Sequence, residues 1–544
     1  MRKPDFNLII SVFVALLFTR SLQSQTVTSA WTADLGDGRY QNPVVHADYS
    51  DPDAIRVGQN YYLVASSFHH SPALPILQSR DLVNWTLIGH ALQRQVPEEH
   101  FSQVRRGNGV WAPSIRYHHG EFYVYYPDPD FGIYLVKAKN INGPWAEPVL
   151  VAGGKGLIDP CPLWDDDGTA YLVHAYAGSR AGIKSLLVIR KMNAAGTRTL
   201  DEGRIVYDGH DADATVEGPK LYKRNGYYYI IAPAGGVTQG WQIVLRSRTI
   251  YGPYERKIVL AQGHSGTNGP HQGAWVATSG GENWFLHFQD KDAYGRILHL
   301  QPMEWKNDWP VIGVDPDGDG TGEPVASYRK PGTGMNVPIS APAESDEFNG
   351  IQPGLQWQWQ ANPKAFWSFL VNGNLRLYSV PLPDSSRNYW TVPNVLTQKF
   401  PAETFQATTS IRFKPRLDGE RSGLIVMGLD YASLSLCRKS GETVLIWSTC
   451  RGADRNQPEQ TEEKVRIQNS VIYLRVEVRA QAVCQFSYSV DGGHFTEVGE
   501  PFRARPGRWT GAELGLFCTR TQPSNDSGFA EFDWFRISPS AAQP

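Results

Sequence analysis

Hydrophobic positions in this chain seldom follow a helical period. They come in short runs of aromatic and β-branched residues separated by Gly, Asn and Asp turns, which predicts strands almost throughout. One pattern, a head residue, a short strand, a turn and an aromatic strand, occurs five times. It runs from Tyr49 to Phe68, Trp111 to Tyr126, Asp159 to Val173, Glu217 to Ile231 and His271 to Leu286, with heads Asp51, Trp111, Asp159, Glu217 and His271. A second element, seen in Ser79–Trp85, Ala138–Trp145 and Ser247–Tyr254, reads as turns leading into outer strands. Repeats at roughly 50 to 60 residues with this content predict the blades of a five-bladed β-propeller. Equivalent blades would bring the five heads to one place near the axis.

The repeats end near Trp309, and a Pro/Gly/Ser-rich stretch from Asp315 to Ala343 follows. Beyond it the apolar positions alternate at period two, as in Phe405–Phe413, Tyr473–Val478 and Phe486–Val490 before Asp491-Gly-Gly493, which predicts a jelly-roll-like β-sandwich. The expected fold is therefore all-β. Residues 25–327 form the propeller, 328–343 a linker and 344–540 the C-terminal sandwich. Residues 1–24 read as a secretory signal peptide, with basic Arg2 and Lys3, an apolar run from Leu8 to Phe18, and small Ser21 and Ser24. That run is too short to anchor the chain, so an exported protein, periplasmic or extracellular, is expected.

A formal net charge of −2 with no basic stripe gives no footing for nucleic acid or an anionic membrane. Nothing in the chain specifies an oligomeric state. The 17 Trp and the 12% aromatic content suit sugar faces, although most such rings must be core. Of the five Cys, Cys437, Cys450, Cys484 and Cys518 fall in the last third, where export allows three pairings or none. No zinc spacing occurs. Asp315-Pro-Asp-Gly-Asp-Gly320 imitates the start of a calcium loop, but Ala326 stands where its closing Glu belongs, so a solvated turn is expected. Asp346 and Asp533, near the sandwich ends, are either a structural calcium site or a surface pair.

Taken singly, Asp51, Asp159 and Glu217 read as strand or turn caps. Three carboxylates at matching repeat positions point instead to one site. Glycosidic cleavage needs a carboxylic acid to protonate the leaving oxygen and a carboxylate acting from the sugar's other face. The apolar neighbours of Glu217 and a nearby Asp159 charge would raise its pKa as that acid requires.

Asn42-Pro-Val-Val45, Ser50-Asp-Pro-Asp53, Leu157-Ile-Asp-Pro160, Val216-Glu-Gly-Pro219, Gly269-Pro-His-Gln-Gly273 and Gly295-Arg-Ile-Leu-His-Leu-Gln-Pro302 resemble glycoside hydrolase family 43 in order and spacing. The resemblance covers roughly residues 40 to 330, and the C-terminal part resembles the accessory domain of that family's two-domain β-xylosidases. It implies an inverting reaction with Asp51 as general base, Glu217 as general acid and Asp159 as modulator. It also implies that Arg296 contacts sugar hydroxyls and that His271 lies near the axis, where some members hold calcium through water; no cofactor is otherwise required. Trp111 and Phe68 are the candidates for an apolar wall. His69-His-Ser-Pro-Ala-Leu-Pro75 and Tyr126-Pro-Asp-Pro-Asp130 depart from the family pattern and are expected to rim the pocket.

The expected partner is a carbohydrate, and the expected activity is exo-acting release of terminal pentoses from plant cell-wall material. β-D-xylosidase is the first choice, ahead of α-L-arabinofuranosidase and of an endo-acting arabinanase. A sugar-binding propeller without catalysis, or a scaffold using its rim, would leave the three acids without a role.

Overall fold

The computed structural model describes residues 29–540, so the leader-like segment lies outside the described residues. Five antiparallel sheets follow one another along the first part of the chain. Blade 1 consists of Asp53–Val57, Asn60–Val64, Ala73–Ser79 and Trp85–Leu92, and blade 2 of Ser114–His118, Glu121–Asp128, Gly132–Ala138 and Val149–Gly153. Blade 3 spans Leu157–Trp164 to Arg204–Asp208 and blade 4 spans Lys220–Arg224 to Glu255–Leu260. Each head sits at or just before the innermost strand of its blade, as the repeats predict. The middle strands are buried on both faces because each blade packs against a neighbour on either side: Glu121–Asp128 and Asn283–Asp290 are buried along nearly their whole length, and Trp85, Tyr125, Tyr229 and Trp284 are fully buried between sheets. Burying an aromatic or aliphatic side chain of this size contributes about 1.5–3 kcal/mol.

Blade 5 holds a feature that the repeat pattern does not reveal. Its strands His271–Ala277, Asn283–Asp290 and Arg296–Lys306 are completed by Val45–Asp48 from the start of the chain, with Val45 opposite Leu298 and Asp48 opposite Ile297. The ring is thus closed by strands some 250 positions apart. Trp309–Ile312 adds a further strand to this blade, and Arg39–Gln41 pairs with Ser327–Arg329 as a two-stranded sheet beside it.

The C-terminal part is a sandwich of an eight-stranded and a seven-stranded sheet. Ile472–Arg479 alternates buried and half-buried residues without a break, the burial expected for a strand with one face in the core. All five cysteines are free thiols, so none of the pairings open to Cys437, Cys450, Cys484 and Cys518 is made. Among the described residues no helix is long and apolar enough to cross a membrane.

Candidate active site

Asp51, Asp159 and Glu217 line one cavity, together with Phe68, Trp111, Gln272, Arg296 and Trp509. The local chain geometry turns the two aspartates toward it. Both adopt left-handed backbone, at φ 56° for Asp51 and 58° for Asp159, a region that Asp tolerates better than bulkier residues. A bulge between Ile158 and Cys161 lets Asp159 leave the strand register and face the cavity.

Asp51 is fixed by three donors. The Ser50 and Ser66 hydroxyls donate to its Oδ2 at 2.7 and 2.6 Å, and Arg296 Nη1 approaches Oδ1 at 3.2 Å. Arg296 is buried, and its Nη1 also donates to Ser50 at 2.9 Å. Asp48 in the closing strand holds the surroundings. One of its oxygens accepts the Arg296 N–H and the other the N–H of Gly511 from the sandwich, both at 2.9 Å.

Glu217 differs in character. Its side chain keeps 29% of its surface, yet accepts no strong donor; His271 Nε2 lies 3.4 Å away without an aligned hydrogen bond. Burial, followed by the negative charges of Asp159 and Asp51, pushes its pKa up to about 8. Burial also raises Asp159, against the opposing Gly218 N–H that its Oδ2 accepts at 2.7 Å. Gly218 must be glycine, since its φ is 58° and a Cβ there would collide with Gln272. The cavity therefore contains one carboxyl that keeps its proton at neutral pH and another held by fixed donors. These are the two states that acid/base cleavage of a glycosidic bond requires.

Other expectations meet a mixed outcome. Phe68 and Trp111 do line the cavity. His271 does not; it is 1% exposed beneath Glu217, and burial and the Arg296 charge lower its pKa to about 3, which makes it a neutral packing partner of Phe288. Asp346 spends its carboxylate on the N–H groups of Phe348 and Gly354 and the Trp357 indole, as a structural cap would. The Asp315, Asp317 and Asp319 carboxylates lie within 4.8 Å of one another, with Asp315 accepting the Gly318 and Gly320 N–H groups.

His69 and His70 do not rim the pocket. They are 2% and 1% exposed in the seam between propeller and sandwich, because their polar partners Gln360 and Glu513 lie in the sandwich. The Tyr126–Asp130 stretch stands behind the wall, where Pro127 accepts the Trp111 N–H and Asp130 pairs with Arg180.

Gln272 and Trp509 escape the repeat-based reading. Gln272 adjoins a recognised head, a signal within reach. Trp509 stands in Arg505-Pro-Gly-Arg-Trp-Thr-Gly511 of the sandwich and meets Trp111 edge to face at 6.1 Å. An aromatic in a Pro/Gly turn was its one sequence cue.

The chain matches glycosyl hydrolases family 43 over residues 40–310 and the β-xylosidase C-terminal concanavalin A-like domain over residues 345–538. It is 40% identical to a putative β-xylosidase of Xylanibacter ruminicola, over 91% of this chain and 89% of that one. It is 27% identical to a non-reducing end α-L-arabinofuranosidase of Bacteroides ovatus, over 93% and 96%. The solved xylan β-1,4-xylosidase of Bacillus halodurans C-125 superposes with a TM-score of 0.80 at 25% identity, covering 92% of this chain and 99% of that one. With likeness running through both the ring of blades and the sandwich, the chain belongs to glycoside hydrolase family 43, and it is an inverting glycoside hydrolase.

Proposed function

We propose that the protein is an exo-acting β-D-xylosidase that removes single xylose units from chain ends. The observation that carries this reading is Trp509. An aromatic side chain from the sandwich joins Phe68 and Trp111 on the cavity wall, and in this reading it closes one side of the propeller's funnel so that a single terminal sugar is held. The names of the Xylanibacter and Bacillus relatives favour xylose as the glycone.

In this reading Asp51 activates water on one face of the sugar, its carboxylate aimed by Ser50, Ser66 and Arg296. Glu217 delivers the proton to the leaving oxygen from the other side. Asp159 adds its charge to the burial that keeps Glu217 protonated, and it orients the peptide that follows Glu217. Arg296 presents donors to vicinal hydroxyls, and the aromatic wall takes the apolar sugar face. The reaction calls for no cofactor, and the leader-like Met1–Ser24 supports work outside the cytoplasm.

The B. ovatus relative favours α-L-arabinofuranosides as a second substrate, since the two pentoses offer similar hydroxyls. A panel of aryl glycosides tests the ranking. The expected result is the highest kcat/KM on the β-D-xyloside, with xylose as the sole early product from xylo-oligosaccharides. Preference for the α-L-arabinofuranoside would reverse the order, and release of mainly long oligosaccharides would overturn exo action.

A further inference from the structure

All three aromatic residues of the cavity wall stand within five positions of one polar network in the seam between propeller and sandwich. Phe68 is followed directly by His69 and His70. Trp111 closes a loop that carries Arg106. Trp509 precedes Glu513 by four residues, at the start of the sandwich strand Glu513–Arg520.

The network is built tightly. Glu513 Oε1 stands 2.7 Å from His70 Nε2 with both side chains buried, although the N–H direction is not aligned on the oxygen. Its Oε2 accepts the Gln360 amide at 3.0 Å, and Gln360 Oε1 in turn receives His69 Nε2 at 3.0 Å and Arg106 Nη1. Arg106 Nε donates to the Trp390 carbonyl at 2.9 Å, its Nη2 reaches Met427 Sδ at 3.0 Å, and the guanidinium lies 4.4 Å from the Trp390 ring centre. Every one of these Arg106 partners belongs to the sandwich, and on the propeller side its Nη1 lies 3.0 Å from His69 Nε2. Burial lowers the Arg106 pKa to about 10, while the neighbouring Glu513 charge opposes that shift; the pKa of Glu513 falls to about 2 beside His70 and Arg106.

The residue after Arg106 carries the effect to the pocket. The Gly107 carbonyl accepts the Trp111 indole N–H at 2.9 Å, and a Cβ on Gly107 would lie 2.7 Å from the Arg508 side chain and 3.0 Å from the Trp509 ring. Arg106 thus fixes the backbone against which both tryptophans rest. Burying a guanidinium without its own carboxylate is costly, and packing alone could be met by an apolar side chain.

We propose that Arg106 and Glu513 are positioning residues for substrate binding: the sandwich sets the separation of Phe68, Trp111 and Trp509 through them, and so sets affinity for the sugar, while the carboxylates do the chemistry. This rests on the pocket reading above, but it is tested on whichever aryl glycoside the wild-type enzyme hydrolyses best, so a wrong glycone assignment leaves the test intact.

The experiment compares wild type with Arg106→Met, Arg106→Lys and Glu513→Gln in the full chain, measuring kcat, KM, the inhibition constant of the released sugar, the pH profile and the unfolding midpoint. Displacing a binding wall by an ångström is expected to raise KM and the product inhibition constant together by roughly tenfold or more in Arg106→Met. kcat on an activated substrate should stay within about threefold, with the alkaline limb of the pH profile unmoved. Arg106→Lys should recover part of the loss, and Glu513→Gln, which keeps the shape, should show the same split at smaller size. A lower midpoint with unchanged KM and inhibition constant in both Arg106→Met and Glu513→Gln would overturn the proposal, as would a fall in kcat with KM unmoved.

Discussion

The backbone N–H of Gly218 donates to Asp159 Oδ2 at 2.7 Å, which ties the head of blade 3 to the residue directly after Glu217. One carboxylate thereby acts on Glu217 in two ways, by charge and by fixing the peptide that carries it. Asp159→Asn separates these, since the amide oxygen can still accept the N–H while the charge is gone. Glu217 is protonated below its raised pKa of about 8, and activity that needs the acid declines as pH rises through that value. Removing the Asp159 charge lowers that pKa, so the alkaline limb of kcat/KM should move to lower pH by about one unit. An unmoved limb would show that burial alone protonates Glu217.

Leaving-group dependence distinguishes the acid from the base. Glu217→Gln should lose on the order of 10²-fold or more on substrates with poor leaving groups and much less on activated aryl glycosides, which leave without a proton. Asp51→Asn should be inactive on both. Equal responses to leaving group in the two variants would reverse the assignment.

Arg296 touches both Asp51, the proposed base, and the place where hydroxyls would bind. Arg296→Ala should lower kcat/KM on the order of 10²-fold, about 3 kcal/mol at the transition state. Its Nη1 lies 3.2 Å from Asp51 Oδ1 and 2.9 Å from Ser50 Oγ, so the loss should appear in kcat as well as KM. A change confined to KM would mean that Asp51 keeps its aim without the guanidinium.

Glu217 also has a stability consequence. Its pKa stands at 4.5 in an ordinary setting and about 8 in the fold, so the folded state binds its proton more tightly than the unfolded chain does. The stability from this site is fully present below pH 4.5 and declines as pH rises toward 8. Glu217→Gln, neutral throughout, should therefore raise the unfolding midpoint at pH 7 by about 1–3 °C and change it little at pH 4. Calorimetry at the two pH values checks this, and an equal shift at both would trace the effect to packing instead.

The heads were legible because a propeller converts sequence period into spatial proximity: Asp51, Asp159 and Glu217 occupy like positions in like repeats. What stayed hidden depends on contacts that no local pattern encodes. Ser66 bonds Asp51 from 15 positions away, and Asp48 receives Gly511 across 463 positions. His69 and His70 looked like a pocket rim because they follow Phe68, yet burial against Gln360 and Glu513 turns them into the seam. Likewise, nothing in the repeat phasing marks Val45–Asp48 as a strand of the last blade.

That borrowed strand makes catalytic competence a reporter of assembly. Asp51 follows the closing strand by three residues, while Arg296 opens the strand to which it pairs, so their 3.2 Å contact can form only after the two ends of the ring have met. During synthesis the base is made early and must wait for some 250 further residues before its arginine exists. A chain with an unlatched ring would retain blades and much of its secondary structure, with Ser50 and Ser66 still on Asp51, yet lack the guanidinium that completes the site. In refolding experiments, recovery of activity should therefore lag behind recovery of strand signal by the time the latch takes to close.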